Sequence, residues 1–284
     1  NFDCGDTGPN TITLSVSDVN GLVGSCQSTV TVEDNALPVL ACADITVQLD
    51  DNGNGDSDDN NDGNDDEFGG TTTDNCGTLT FVASQNTFDC SDVGSVTVDV
   101  TVTDASGNSD VCVVNVTVED VTAPVATCQA ATVQLDDMGN GMLDPADVDG
   151  GSSDACGFTL AVSNANFDCD DLGMNNVTLT VTDPSGNVAT CDAMVTVEDN
   201  IAATILCRAP VHTVNDPGLC GADVLVLPPI VLEENCSVDA ITATNDGPGF
   251  YPVGVTTITW TLTDAGGNTS TCQQNIQVSD VEAP

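Results

Sequence analysis

Lysine is absent from this chain, and arginine and histidine occur once each, as Arg208 and His212, against 45 acidic residues. A chain with a formal charge of −44 has nothing with which to neutralise phosphates, which excludes nucleic acid and anionic membrane surfaces as partners. Aromatic residues make up only 3% of the sequence, too few for a sugar-stacking platform. No apolar run approaches the roughly 20 residues needed to span a bilayer as a helix. Lone His212 has no partner motif, and no glycine-rich loop leads from a strand into a helix, so no catalytic constellation is present and the reading is non-enzymatic. The sequence opens at Asn1 in mid-pattern without a signal peptide, as expected of a fragment of a longer mature chain.

What is present is a hydrophobic fraction of 40%, too large for a disordered polyanion, so most of the chain is expected to fold. Self-repulsion then has to be offset by salt or bound cations, unless the acidity is the solvation device of a halophile's surface. Fourteen cysteines in a chain with one histidine point to disulfides rather than zinc, and hence to an oxidising, extracellular or cell-surface setting.

One motif occurs four times, at 10–34, 95–120, 176–199 and 256–280, in steps of about 80 residues. Each copy alternates apolar and small polar residues on either side of a turn: Ile12, Leu14 and Val16; Val98, Val100 and Val102; Val177, Leu179 and Val181; Ile258, Trp260 and Leu262. The turns read DASGN, DPSGN and DAGGN, in which glycine supplies a positive φ and aspartate bonds the turn backbone. Short strands at this spacing predict an all-β fold of tandem immunoglobulin-like antiparallel β-sandwiches in an elongated array. The phrases VEDNALP, VEDVTAP and VEDNIAA divide it into a partial repeat at 1–38 and full repeats at 39–120, 121–199 and 200–284. The partial repeat is a hairpin with an open apolar face, completed by upstream chain or by a neighbouring molecule.

Four cysteines allow three pairings per repeat. Comparing repeats, Cys220 arises in the last one where the cysteine fourteen residues before the turn aspartate is replaced by Phe250. This favours Cys4–Cys26, Cys90–Cys112, Cys169–Cys191 and Cys220–Cys272, with Cys42–Cys76, Cys128–Cys156 and Cys207–Cys236 as the remainder.

The last repeat, with its early cysteine, NDPGLCGA, the ENC triplet, FYPVGVTTITW, TDAGGNTSTC and the closing V-x-D, resembles the HYR (hyalin repeat) module. The earlier repeats, with FDCSDVG in place of FYPVG and an inserted QLD-plus-GNG loop, are similar to a variant common in secreted and cell-surface proteins of Bacteroidota. The resemblance implies an immunoglobulin-like sandwich used in extracellular adhesion or as a spacer, without catalysis.

Nine carboxylates crowd residues 50–67. Calcium takes six to eight oxygen ligands, which binding loops supply from alternating Asp and Asn with a Gly at the sharp turn. Asp50, Asn52, Asn54, Asp56 and Asp58 fit such a register, and Asp58, Asn60, Asp62, Asn64 and Asp66 repeat it, without the closing bidentate Glu of an EF-hand. Asp136, Asn140, Asp144 and Asp147 form a sparser copy. A second candidate lies at the repeat junctions, where Glu33–Asp34, Glu119–Asp120 and Glu198–Asp199 end a strand before a short linker, a phrase similar to the acidic linkers of cadherins. The expected cofactor is therefore calcium. Expected partners are further copies or neighbouring repeats in a filament, and surface glycans or cell-surface ligands. The function expected is that of an adhesin stalk or surface fibre; the alternatives are a spacer in a secreted hydrolase or carbohydrate-binding protein and an acidic ion-binding matrix protein.

Overall fold

A computed structural model of the chain describes residues 1–58 and 65–283. These form two compact units, one of residues 1–124 with 154–158 and 183–187, the other of residues 125–153, 159–182 and 188–284. Among the described residues there are strands and short 3-10 turns but no α-helix.

In the first unit, β1 (Gly8–Ser17) and β2 (Val23–Val32) make the N-terminal hairpin. The first full repeat follows with β3 (Ile45–Gln48), β4 (Asn54–Asp56), β5 (Thr80–Ala83), β6 (Thr87–Asp89), β7 (Gly94–Thr103) and β8 (Ser109–Glu119). Its main sheet has the order β3-β8-β7-β5, opposed by the ribbon β4-β6. Pairing is antiparallel except for β3 with β8, which run parallel. A module whose chain arrives at one end and leaves at the other needs its first and last strands to run the same way, so the sandwich is mixed rather than purely antiparallel. The second unit repeats this sheet order twice, with strands Ala131–Gln134, Thr159–Val162, Gly173–Thr182 and Val188–Glu198, and then Val211–Val214, Thr242–Asn245, Gly254–Thr263 and Thr269–Ser279.

The alternating residues fill the cores. Val98, Val100 and Val102 lose all exposure against Phe68, Phe81 and Phe88. Ile258, Trp260 and Leu262 are buried around Tyr251, and the Trp260 Nε1–H donates to Gln274 Oε1 at 3.1 Å, satisfying the one polar atom its burial would strand. In the N-terminal hairpin the equivalent Ile12, Leu14 and Val16 remain 43–63% exposed.

The disulfides correct every pairing expected from the sequence. Each early cysteine joins the hairpin cysteine of its own repeat, as Cys42–Cys112, Cys128–Cys191 and Cys207–Cys272. The other three join a repeat to its successor, as Cys4–Cys76, Cys90–Cys156 and Cys169–Cys236, leaving Cys26 and Cys220 free and exposed. Strand register explains the failure of Cys90–Cys112. Cys112 lies opposite Val100, whereas Cys90 precedes Gly94, which lies opposite Val118. Six residues of strand separate the two levels by about 20 Å, and a disulfide bridges Cα atoms less than about 7 Å apart.

The assumed equivalence of Phe250 to Cys169 is also revised. Tyr251 pairs with Ala222 as Phe167 pairs with Gly141, so Phe250 corresponds to Asn166. The 3-10 turn Cys169–Asp171 has no counterpart in the last repeat, where Val253 N–H donates to the Cys220 carbonyl.

Candidate junction cation sites

The acidic stretch begins, at 50–54, with the same five-residue device as the main hairpin turn. Asp104 N–H bonds the Asn108 carbonyl, and Asp104 Oδ1 accepts from the Ser106 and Asn108 N–H groups. Asp50 does likewise with the Asn54 carbonyl and the N–H groups of Asn52 and Asn54, and Asp136 with the Asn140 carbonyl and the N–H groups of Met138 and Asn140. Those backbone donors hold the Asp50 and Asp136 carboxyls below their ordinary pKa. Glycine closes each turn at φ +74°, and its missing Cβ also leaves room for a neighbouring cysteine: a Cβ on Gly53 would lie 2.6 Å from Cys90 Sγ, and one on Gly139 2.7 Å from Cys169 Sγ.

Asp144 Oδ1 caps its own 3-10 turn by accepting from Ala146 N–H, while Asp147 lies within that turn. Asp56 Oδ1 accepts from Asp58 N–H, and Asp66 opens the turn Asp66–Gly69. Asn60, Asp62 and Asn64 lie outside the described residues. Among the described residues, neither 50–58 nor 136–147 gathers three carboxylates around one point.

The junctions do. Asp34, Asp74 and Asp104 bring carboxylate oxygens within 4.8 Å of one another, and so do Asp199, Glu234 and Asp264; Asp120 and Asp154 meet in the same way beside Cys156. Each cluster lies inside one compact unit. Three elements build the first and third sites, and the middle site takes only the first two of them. The strand-ending aspartate comes from one repeat, and an acid-x-cysteine loop and the hairpin-turn aspartate come from the next. The turn asparagine locks the first to the last: Asn108, Asn187 and Asn268 Nδ2 donate to the carbonyls of Asp34, Asp120 and Asp199 at 3.0, 3.1 and 2.9 Å. At the middle junction Asp183 is buried next to this contact, with both oxygens bonded by Asn187.

Each cluster also holds buried carboxylate oxygens that no donor satisfies: Asp34 Oδ2 and Asp74 Oδ1; Asp120 Oδ2; Asp199 Oδ2, Glu234 Oε2 and Asp264 Oδ2. Asp120, Asp199 and Asp264 are only 8, 2 and 7% exposed. An anion buried without a partner is costly, and native structures rarely leave one so. Burial pushes the Glu234 carboxyl above its ordinary pKa against the Cys236 N–H, and the charges of Asp264 and Asp199 push it further. For Asp104 burial acts in the same direction, but its hydrogen bonds from Asn108, Ser106 and Gly107 outweigh it and hold the carboxyl low.

Of the junction residues singled out from sequence, Asp34, Asp120 and Asp199 stand in the clusters, while Glu33, Glu119 and Glu198 are exposed beside them; Glu198 Oε2 accepts from Gln134 Nε2. Sequence reasoning did not single out Asp74, Asp154 and Glu234, nor the turn aspartates Asp104 and Asp264, as members of the clusters. Their signal was the acid-x-cysteine triplet in every repeat, DNC, DAC and ENC. Arg208 Nε–H donates to the Pro228 carbonyl at 2.7 Å.

Residues 202–278 match the HYR domain. The chain is 27% identical to hyalin of Strongylocentrotus purpuratus over 99% of its own length and 24% of that protein, and 31% identical to hyalin of Lytechinus variegatus over 75% of its length and 42% of that protein. It thus spans less than half the length of either relative. Both are sea-urchin proteins, and the bacterial affiliation expected from the sequence finds no support in them. Among solved structures, protocadherin gamma B7 cadherin domains 1–4 align at 15% identity and a TM-score of 0.31, covering 72% of this chain and 67% of that one. Titin domains I67–I69 align at 11% identity and a TM-score of 0.34, covering 85% and 98%. Both overlaps are too loose to carry an argument. The chain is a segment of disulfide-bonded β-sandwich repeats that contains an HYR domain, and its setting is secreted or cell-surface.

Proposed function

We propose that this chain is a load-bearing segment of a long extracellular repeat protein, a surface fibre or adhesin stalk, whose repeats are locked end to end by calcium at the three junction clusters. The observation that carries this reading is the recurrence, at each junction, of buried carboxylate oxygens without a donor. The donor sets contain no histidine and, apart from the Cys156 sulfur tied up in a disulfide, consist of carboxylate oxygens, which suits a hard cation with many oxygen ligands rather than zinc or copper. Without the cation, like charges from two consecutive repeats face each other within 4.8 Å in a partly buried site, where repulsion is screened far less than in water. With it, the same groups hold the repeats together. The protein's role is mechanical and not catalytic, and its immediate partners are further repeats of its own kind.

Small-angle X-ray scattering of the oxidised chain tests the stiffening. The maximum dimension is expected to be greatest in calcium and to shrink, with a broader distance distribution, when a chelator is added at constant ionic strength. Identical profiles in the two conditions would overturn the proposal.

A further inference from the structure

At every junction the loop acid sits two residues before a cysteine bonded to the preceding repeat. Asp74, Asp154 and Glu234 each accept the N–H of Cys76, Cys156 and Cys236, at 2.6, 2.8 and 3.4 Å, which fixes one carboxylate oxygen and, in Asp74 and Glu234, leaves the other buried without a donor. The cysteine side chain continues the linkage covalently, through Cys4–Cys76, Cys90–Cys156 and Cys169–Cys236. Its far end stands on a rigid support. Cys4, Cys90 and Cys169 each open a 3-10 turn closed at both ends by a capping box, in which Asp3, Asp89 and Asp168 accept from the turn while Asp6, Asp92 and Asp171 accept in return. At the middle junction the Cys156 sulfur itself lies within 4.8 Å of the Asp120 and Asp154 oxygens. A disulfide sulfur carries no charge and is a poor ligand for a hard cation, so its nearness matters for placement and not for coordination.

We infer that each inter-repeat disulfide is the positioning element of its cation site: it holds the acid-x-cysteine loop of one repeat against the strand-end aspartate of the repeat before it, so that calcium affinity at a junction depends on that junction's own disulfide. This rests on the calcium reading above. A loop already placed pays no ordering entropy on binding, and a released loop pays it over several residues. The third junction has a second tether. Asn235 Nδ2 donates to the Asp136 carbonyl and to Asp199 Oδ1, at 3.2 and 2.9 Å, so its loop stays partly placed without Cys169–Cys236.

Calorimetric titration of the whole oxidised chain with calcium decides the matter. The unmodified chain is expected to show three tight sites. Cys90→Ser with Cys156→Ser is expected to weaken one of them at least about tenfold and leave two intact, while Cys169→Ser with Cys236→Ser weakens one by a smaller factor. Hydrogen exchange, read in the same samples, should show the strands of both variants still protected and the 154–157 or 234–237 loop released. A disulfide that served stability alone would lower the melting temperature of the folded variants and leave their calcium affinities unchanged, which would overturn the inference. If the unmodified chain binds no calcium, it is the cation reading that fails.

Discussion

Glu234→Gln is expected to change the sign of its effect with calcium. In saturating calcium the variant melts lower than the unmodified protein, because a charged ligand has been removed from the third junction. In excess chelator it melts higher, because an anion buried against Asp199 and Asp264 has been neutralised. A cation held at 100 times its dissociation constant stabilises the folded state by about 2.7 kcal/mol, which for a repeat of this size corresponds to about 10–20 °C. The pH dependence follows with the same sign. A glutamate whose folded pKa is raised above 4.5 weakens the fold where it is ionised, and relieves it as the pH falls through the raised value. The cation-free protein should therefore gain stability on mild acidification from neutral pH, and Glu234→Gln should remove that junction's share of the gain. A variant that lowers the melting temperature equally with and without calcium would show that Glu234 is only a structural hydrogen-bond acceptor.

The second large effect belongs to the disulfides inside repeats. Cys128 and Cys191 close a loop with a sequence separation of 63 residues, and their bond packs the linker end of the repeat onto the strand that carries Cys191 opposite Leu179. Loop-closure entropy assigns such a bond about 4 kcal/mol. That is a large share of what a domain of this size retains in total, and this core relies on valine, leucine and a single buried aromatic, Phe167. Replacing both cysteines by alanine should lower the unfolding free energy of that repeat in urea by about 4 kcal/mol, and by 2 kcal/mol at the least. A loss below 1 kcal/mol would mean that the core of the repeat holds without its bridge.

The residues that were legible are those whose information is local. A period of two places Val98, Val100 and Val102, or Ile258, Trp260 and Leu262, on one face whatever the rest of the chain does, and these are the buried residues. The Asp that closes each VED phrase was legible because it repeats at each boundary, and Asp34, Asp120 and Asp199 do stand at the clusters. What failed was non-local. Comparing repeats one at a time pairs cysteines within a repeat, whereas half of the bonds run between repeats, and only the register of β7 on β8 shows that Cys90 and Cys112 lie at different levels. The DDNGN and DDMGN turns carry two meanings in the sequence. An Asp oxygen aimed back at backbone N–H groups with a glycine at positive φ is the local chemistry of a tight turn as well as of a calcium loop, and in 50–54 and 136–140 the turn takes the aspartate. The loop acids Asp74, Asp154 and Glu234 acquire their meaning only when the preceding repeat delivers its strand-end aspartate beside them.

The central claim is that the cations sit at the junctions rather than along the acidic loops. Anomalous diffraction from crystals of the oxidised chain grown in calcium and exchanged with a lanthanide locates them directly. The account predicts three strong peaks, each within direct coordination distance of a strand-end aspartate and its loop acid: Asp34 with Asp74, Asp120 with Asp154, and Asp199 with Glu234. Peaks confined to the acidic stretch at 50–67 and the loop at 136–147, with the junctions empty, would contradict it.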